Sequence, residues 1–167
     1  MTSLSVVRLP ASVLTTPTRP VGSIDADVRQ FCADLVETMY SSPACVGLAA
    51  NQVGDGRRIF CADVSGHKKA DSCHGLVVLI DARLVLARSP VTMREGCMSV
   101  PDLTGNVTRA SEVVVRGITP EGRDRVIEAN AFEARALLHE LDHLDGKTFL
   151  DRVTNFGADV FARKRYR

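Results

Sequence analysis

Apolar residues between positions 25 and 41 recur with the period of an α-helix. They occupy positions i, i+3, i+4, i+7, i+8 and i+11, namely Val28, Phe31, Cys32, Leu35, Val36 and Met39. Because a helix has about 3.6 residues per turn, this spacing places them on one face. Ser23 or Asp25 can cap the start of such a helix, and Pro43 stops its continuation. The pattern predicts an amphipathic helix over residues 25–41.

Shorter apolar stretches predict β-strands in the middle of the chain. The runs with the length and composition of strands are 57–64, 76–80, 82–87, 113–116 and 125–128. Residues 5–9 predict a short strand or an extended entry to the fold, and Glu121 with Gly122 predicts a turn between the last two strands. Residues 65–75 are polar, and their two histidines have no regular ligand spacing, so this segment predicts a solvated loop.

A second helix is predicted towards the C-terminal end. Leu137, Leu141 and Leu144 form an apolar face at i, i+4 and i+7. Asn130 can cap its start, and Gly146 lies where a helix end prefers glycine. Together the elements predict an α+β fold, in which antiparallel or mixed strands pack around this central helix.

Length, charge and cysteine content limit the class of protein. The chain has 167 residues and no repeat or linker, which predicts a single domain over 1–167. Its net charge of +1 argues against a general nucleic-acid-binding surface. The cysteines are scattered, without the close spacing of a disulfide framework, which favours a reducing compartment such as the cytoplasm. Neither a secretion signal nor an apolar stretch of membrane-spanning length is expected from the sequence.

The segment HELDH at residues 139–143 carries the strongest chemical signal. Positions four residues apart share a helix face, so His139 and His143 can bind one metal ion while Glu140 reaches a water molecule. Plain packing of an amphipathic helix explains the leucines here, but not two ionisable rings on a neighbouring face. A catalytic site of this kind needs a third protein ligand and one open coordination position.

Two sources for the third ligand remain open at this point. Upstream, the segment EGCMS (95–99) offers Cys97, whose thiolate is a strong ligand for zinc or ferrous iron, although a lone cysteine also suits apolar packing. Downstream of His143 the remaining carboxylates are Asp145, Asp151 and Asp159. The downstream choice would make the chain a zinc endopeptidase of the HExxH type.

A third segment, GLAANQ at residues 47–52, is small, uncharged and ends in an amide side chain. This composition suits a tightly packed piece of core. It equally suits a loop that brings the Gln52 NH2 group and backbone N–H groups to an oxyanion that develops during hydrolysis.

In this order, GLAANQ, EGCMS and HELDH resemble the three signature motifs of peptide deformylases. The resemblance extends from about Val6 to Val153. The chain departs from the usual family pattern at Cys45 and Ala131 (usually Gly), Asn51 (often Pro), Met98 (commonly Leu) and Leu138 (often Gln). None of these departures removes a metal ligand, the base or an oxyanion donor, so activity is expected to survive.

The resemblance implies that Cys97, His139 and His143 bind one catalytic divalent metal ion. It implies Fe2+ in the cell, with Zn2+ replacing it after aerobic purification; Ni2+ and Co2+ also suit this ligand set. Glu140 would be the general base and later the proton donor. The implied reaction removes formate from the N-terminal formyl-methionine of newly made polypeptides.

The resemblance also implies roles in substrate binding. Gln52 and the backbone N–H of Met98 would stabilise the oxyanion, and Gly47 would hydrogen-bond the substrate backbone. The residues expected to contact the substrate or form the methionine pocket are Val46, Gly47, Met93, Gly96, Phe132, Arg135 and Ala136.

The implied partners are N-formylmethionyl peptides, with no membrane and no specific nucleic acid. Because nascent chains emerge from the ribosome, the basic cluster at residues 163–167 predicts either a contact with ribosomal RNA or a solvated terminus. A catalytically silent relative that only binds formylated chains is the remaining alternative. The presence of Glu140 and Gln52 argues against it.

Overall fold

The structure, a computed structural model, describes residues 3–164. Its helices are α1 (Ala26–Ser41), α2 (Ala131–Leu144) and the short α3 (Phe156–Asp159). Its strands are β1 (Gly47–Ala49), β2 (Ile59–Ala62), β3 (Val77–Cys97), β4 (Val100–Ile118), β5 (Asp124–Asn130) and β6 (Val160–Ala162). Single 3-10 turns lie at Ser12–Thr15, Ala50–Val53 and Phe149–Arg152. Within this part of the chain, no helix has the length and apolar composition needed to cross a membrane.

The helix expected over 25–41 is confirmed, with its first helical residue at Ala26. Asp25 caps it, since its Oδ1 accepts a hydrogen bond from the backbone N–H of Val28 at 2.9 Å. The buried positions of the predicted face include Val28, Leu35 and Met39, which pack against β1 and β2. Helix α1 therefore covers one side of the segment that carries the GLAANQ motif.

The strands form one antiparallel sheet in the order β1-β2-β3-β4-β5, with β6 paired to β4. The runs 76–80 and 82–87, expected as separate strands, belong to the single long strand β3. Register shifts after Ile80 and Leu84 let this strand continue through irregular positions. The predicted strand 113–116 is part of β4, and β1 and β6 were not expected. Residues 5–8 form no strand, and Leu9 begins a turn, so the short strand predicted over 5–9 is absent.

Helix α2 is the centre of the molecule, as the α+β prediction required. Its apolar face, including Leu137, Leu141 and Leu144, is buried against β1, β2, β4 and β5. The helix ends as expected, with Gly146 in the left-handed region at φ +70° and its N–H bonded to the carbonyl of His143. The sheet thereby fixes α2 from several sides, and its polar face points towards the end of β3.

Candidate metal centre and active site

Three potential metal ligands from two motifs converge beside helix α2. The ligand atoms of Cys97, His139 and His143 all lie within 4.8 Å of one another. Cys97 is the last residue of β3, and its Sγ lies 3.2 Å from Nε2 of His143. A sulfur and a nitrogen bound to one tetrahedral zinc ion lie about 3.6 Å apart. One sulfur and two ring nitrogens at this separation fit a single divalent ion.

The protonation of Cys97 suits a metal ligand. Burial alone would raise the pKa of its thiol, but the neighbouring rings of His143 and His139 lower that pKa well below its usual value. The thiolate is the form of cysteine that binds metals. Cys97 and His143 are both buried, with 5% and 0% of their surface exposed, so the group is shielded from bulk water.

Glu95 orients His139. The Nδ1 of His139 lies 3.0 Å from Oε2 of Glu95, which leaves Nε2 free to face the Cys97 sulfur and a metal. Burial would raise the pKa of Glu95, but hydrogen bonds from His139 and Arg109 lower it to about 2. Arg135 donates a further hydrogen bond to this carboxylate, at 2.5 Å. Glu95 is thus a charged hydrogen-bond acceptor held in place on two sides.

Arg109 connects the cysteine motif to the histidine motif. Its guanidinium donates to Glu95 Oε1 at 2.6 Å and to Asp142 Oδ2 at 2.7 Å. Asp142 also accepts a hydrogen bond from Arg152 at 2.5 Å. Sequence reasoning missed both arginines. Glu95 and Asp142 lie inside motifs on buried faces and so require partners, but only the tertiary fold shows which cations provide them.

Glu140 is buried beside the three ligand residues, and one of its carboxylate oxygens has no hydrogen-bond partner among the described residues. It is 3% exposed, and its Oε2 has no hydrogen-bond partner among residues 3–164. Burial raises the pKa of Glu140 to about 7, against the lowering effect of the two histidines. A carboxylate with a pKa near neutrality can both accept and donate a proton at physiological pH. Its free oxygen is available for a water molecule or a substrate.

Gly47 is required by the position of Glu140. A Cβ added to Gly47 would lie 2.5 Å from Oε1 of Glu140, far inside van der Waals contact. We expect Gly47→Ala to displace the Glu140 carboxylate and to lower turnover at least about tenfold, because small displacements of a catalytic group are costly. The helical circular dichroism spectrum should be preserved.

The measurement is steady-state kinetics of formate release, the reaction that the family resemblance implies, together with metal content. Gly157→Ala is the matched control, since the nearest atom to an added Cβ there is 3.6 Å away, in ordinary contact. Wild-type turnover in Gly47→Ala would mean that Glu140 tolerates displacement, and the proposed tight placement would be wrong.

The amide of Gln52 points towards the ligand group. Its Oε1 accepts from the backbone N–H of Ala49 at 2.9 Å, and its NH2 group donates to Cys97 Sγ at 3.3 Å and Ser99 Oγ at 3.2 Å. The carbonyl side is therefore fixed and the donor side faces the site. The expected loop instead contains β1, which pairs with β2, and a 3-10 turn that carries Gln52.

Two departures from the family pattern have structural explanations. Asn51 donates a hydrogen bond from Nδ2 to the backbone carbonyl of His143, which joins the first motif to the metal-binding helix. Cys45 donates from its thiol to the carbonyl of Gly47 at 3.1 Å. In contrast, Ala131 has φ +47°, in the left-handed region that favours glycine. The usual glycine at this position therefore relieves backbone strain.

A cavity of about 490 Å³ opens in front of the ligand group. Of the residues expected to contact substrate, those lining it are Val46, Gly47, Gly96, Phe132, Arg135 and Ala136. Gln52, Met98 and Glu140 line it as well. Met93 does not; it lines a smaller neighbouring cavity, which shares Phe132 and Arg135 with the first. The guanidinium of Arg135 bonds to Glu95 and to backbone carbonyls, so its contribution to the wall is structural.

The polar segment 65–75 is a loop, as expected, and it packs against the start of α2. The ring of His67 stacks on Phe132, with centroids 3.9 Å apart and planes 7° apart. His74 and Ser72 bind the carboxylate of Glu133, at 2.9 and 2.7 Å. His67 therefore packs against Phe132, a residue that lines the cavity. Sequence reasoning missed this role, because nothing in a polar loop indicates which helix residue it covers.

The downstream aspartates have other partners. Asp145 is bonded to Arg58, Asp151 accepts from Thr148, and Asp159 accepts from Asn106. Among the described residues, Cys97, His139 and His143 are the one group of three with ligand atoms close enough for a metal. The five cysteines are all free of disulfide bonds. The third ligand required by an HExxH endopeptidase is therefore not supplied by these carboxylates.

Comparison with known proteins agrees with this geometry. The sequence profile of the family described as polypeptide deformylase matches residues 3–158. Peptide deformylases from Desulfosudis oleivorans and Syntrophobacter fumaroxidans are 40% and 39% identical to the chain, over 98% of it in both cases and over 93% and 94% of the relatives.

Solved structures give the same result. The peptide deformylase from Ehrlichia chaffeensis in complex with actinonin has a TM-score of 0.87 at 31% identity, covering 94% of this chain and 92% of that one. The peptide deformylase from Thermotoga maritima has a TM-score of 0.83 at 28% identity, covering 93% and 100%. With the family profile matched over residues 3–158 and relatives aligned over nearly its whole length, the chain belongs to the polypeptide deformylase family.

Proposed function

We propose that Cys97, His139 and His143 hold one divalent metal ion, and that Glu140 uses this site to remove the formyl group from the N-terminal formyl-methionine of nascent polypeptides. The chain is a hydrolase of the deformylase family, and residues 1–167 form its catalytic domain. The observation that carries the proposal is the convergence of one sulfur and two ring nitrogens within 4.8 Å, beside a buried carboxylate with an unpartnered oxygen.

In the proposed hydrolysis, Glu140 transfers the protons and the metal ligands hold the ion. When bound, a divalent ion at this site lowers the pKa of water and polarises the formyl carbonyl. Glu140 accepts the proton of the attacking water. It then passes this proton to the amine that leaves as formate is released; burial, which raises the pKa of Glu140 to about 7, suits it to both transfers. The products are formate and a peptide with a free N-terminal amine.

Gln52 and the backbone N–H of Met98 stabilise the charge that develops on the former carbonyl oxygen. The Gln52 NH2 group already faces the site, because its Oε1 is fixed by the N–H of Ala49. A preorganised donor of this kind is typically worth about 3 kcal/mol of transition-state stabilisation. The backbone of Gly47, next to Glu140, hydrogen-bonds the substrate peptide.

The methionine side chain of the substrate enters the apolar part of the cavity. Val46, Phe132 and Ala136 provide its walls, and Gly96 lines the same cavity beside the metal ligands. An unbranched thioether side chain suits such a pocket because it adapts its shape at small cost. Met93 lines the neighbouring cavity, which shares Phe132 and Arg135 with this pocket.

The metal in the cell is Fe2+, and Zn2+ replaces it after aerobic purification. A thiolate with two imidazoles accepts Fe2+, Zn2+, Ni2+ and Co2+, so the ligand set supports all four. A thiolate ligand persists best where thiols stay reduced. The protein therefore acts in the cytoplasm, on chains that leave the ribosome. The basic cluster 163–167 lies partly outside the described residues; Arg163 and Lys164 line the cavity.

Anaerobic protein loaded with Fe2+ should release one formate per formyl-Met-Ala-Ala amide consumed, without cleavage of a peptide bond. Formate is measured with a coupled dehydrogenase, and peptides by mass spectrometry. The acetylated peptide is the control for a general amidase. Cleavage at an internal peptide bond would instead support the endopeptidase alternative, and binding without any formate would support a silent relative.

A further inference from the structure

The mouth of the active-site cavity carries three cationic side chains that the proposed reaction does not use. All three, Arg94, Arg163 and Lys164, line the cavity; Arg94 and Lys164 are exposed and Arg163 is half-buried. Among residues 3–164, no salt bridge joins any of them to a carboxylate. The arginines deeper in the site, such as Arg109 and Arg135, are paired with Glu95. Positive charge at the mouth is thus available to a ligand.

The final strand fixes this positive charge in place. Strand β6 pairs with residues Leu103–Gly105 of β4, and the backbone N–H of Arg163 continues the pairing by donating to the carbonyl of Asp102 at 2.8 Å. The position of Arg163 is therefore determined by the sheet. Cations held on rigid strands lose less conformational entropy when they bind a ligand.

Arg94 is held by three contacts of its own. Its guanidinium carbon lies 3.5 Å from the centroid of the Phe161 ring, and the group donates to Asn106 at 2.9 Å and to Thr104 at 3.3 Å. A guanidinium stacked on an aromatic ring keeps donors free at its edge. Arg94 therefore remains able to bind an anion while its plane is fixed.

Arg163 lies beside the ligand group. A Cβ added to Gly96 would overlap its guanidinium, and Gly96 immediately precedes the proposed ligand Cys97. The proposed function places the formyl group at the metal ligands, and an extended peptide advances about 3.3 Å per residue, so its second and third residues lie within about 10 Å of those ligands. The two acidic residues in the lining do not cancel the charge at the mouth. Glu95 is neutralised by arginines, and Glu140 lies at the inner end.

We propose that Arg94, Arg163 and Lys164 form an anion subsite for a carboxylate of the formyl peptide. The carboxylate belongs to an acidic side chain at the second or third residue, or to the free C-terminus of a short peptide. Guanidinium groups suit this ligand because they bind carboxylates through paired hydrogen bonds. The assignment rests on the proposed function, since it places the formyl group at the metal ligands.

The test compares formyl-Met-X-Ala amides and formyl-Met-Ala-X amides with X as Asp, Ala or Lys, and adds formyl-Met-Ala-Ala with a free carboxylate. For wild type we expect kcat/KM for the better Asp peptide to exceed that for the matched Lys peptide about tenfold, equivalent to about 1.4 kcal/mol. Arg163→Gln should reduce this ratio several-fold. Arg123→Gln removes the same charge from an exposed residue that does not line the cavity, and should keep the wild-type ratio.

Binding of the deformylated peptides, measured by calorimetry, separates this proposal from the proposed function because it requires no turnover. Met-Asp-Ala or Met-Ala-Asp amide should bind wild type more tightly than its Lys counterpart, and the difference should shrink in 0.5 M salt. Equal affinity for the Asp, Lys and free-carboxylate peptides, or an unchanged preference in Arg163→Gln, would overturn the subsite. If the protein releases no formate but still binds the Asp peptide more tightly, the proposed reaction is wrong and the anion subsite is supported. A preference confined to the free-carboxylate peptide would assign the subsite to short peptides alone.

Discussion

Glu140→Gln should bind metal as well as wild type but release formate at least about 100-fold more slowly. General acid–base catalysis by a positioned side chain typically contributes a factor of about 100 to 10,000. Gln has the shape of Glu, but it cannot accept the proton from water or return it to the leaving amine. Because Glu140 is not among the ligand residues, its replacement leaves the sulfur and the two ring nitrogens in place.

The experiment measures kcat for formate release and metal content in the same anaerobic sample. Glu128→Gln, at an exposed position on β5, is the matched control and should keep wild-type kcat. Turnover of Glu140→Gln within a factor of two of wild type would remove Glu140 from the mechanism. Loss of metal in this variant would instead make Glu140 part of the binding site.

Cys97→Ser should lose most of its metal affinity and nearly all activity. A serine hydroxyl does not ionise near neutral pH, whereas the histidines beside Cys97 hold its thiol in the thiolate form. A metal present at about 1,000 times its dissociation constant stabilises a folded protein by about 4 kcal/mol. The variant should therefore lack the rise in melting temperature that metal gives to wild type.

Melting temperature with and without added Zn2+, together with metal analysis after dialysis, checks this expectation. Cys73→Ser is the control, because Cys73 is an exposed cysteine outside the ligand group. Full metal occupancy in Cys97→Ser would exclude Cys97 as a ligand. Equal metal loss in both variants would point to general thiol damage instead of a specific site.

The two long helices were predictable because apolar residues recur with the helical period along each of them. Helix α1 begins one residue after its predicted cap, and α2 lies between the predicted Asn130 and Gly146. The motif residues were also predictable, because the three motifs together resemble one family, whereas Cys97 taken alone suits apolar packing equally well. The convergence of Cys97 with His139 and His143 then required only that β3 end beside α2.

The long hairpin of β3 and β4 was not predictable from periodicity. Much of β3 is solvent-exposed, with Leu84, Val85 and Leu86 all more than 40% exposed, so its apolar residues do not alternate with polar ones as in a half-buried strand. Strand β6 was missed because three residues form it, and pairing with β4 alone defines it. Such strands depend on partners distant in sequence.

The supporting residues of the site were hidden for a related reason. Arg109 and Arg152 follow no motif, and they reach Glu95 and Asp142 only after the sheet and helix have packed. The His67 ring finds Phe132 across a loop. The sequence identifies functional residues when they lie close together along the chain in a motif of characteristic composition. It does not identify residues whose role comes from a single contact over a long separation.

X-ray absorption spectroscopy of the anaerobically purified, zinc-loaded protein shows directly whether Cys97, His139 and His143 bind one ion. We expect one sulfur scatterer at about 2.3 Å and two imidazole nitrogens at about 2.0–2.1 Å, with a further light atom completing four-coordination. The sulfur shell should disappear in Cys97→Ser. A first shell of nitrogen and oxygen alone in the wild-type protein would contradict a site built from Cys97, His139 and His143.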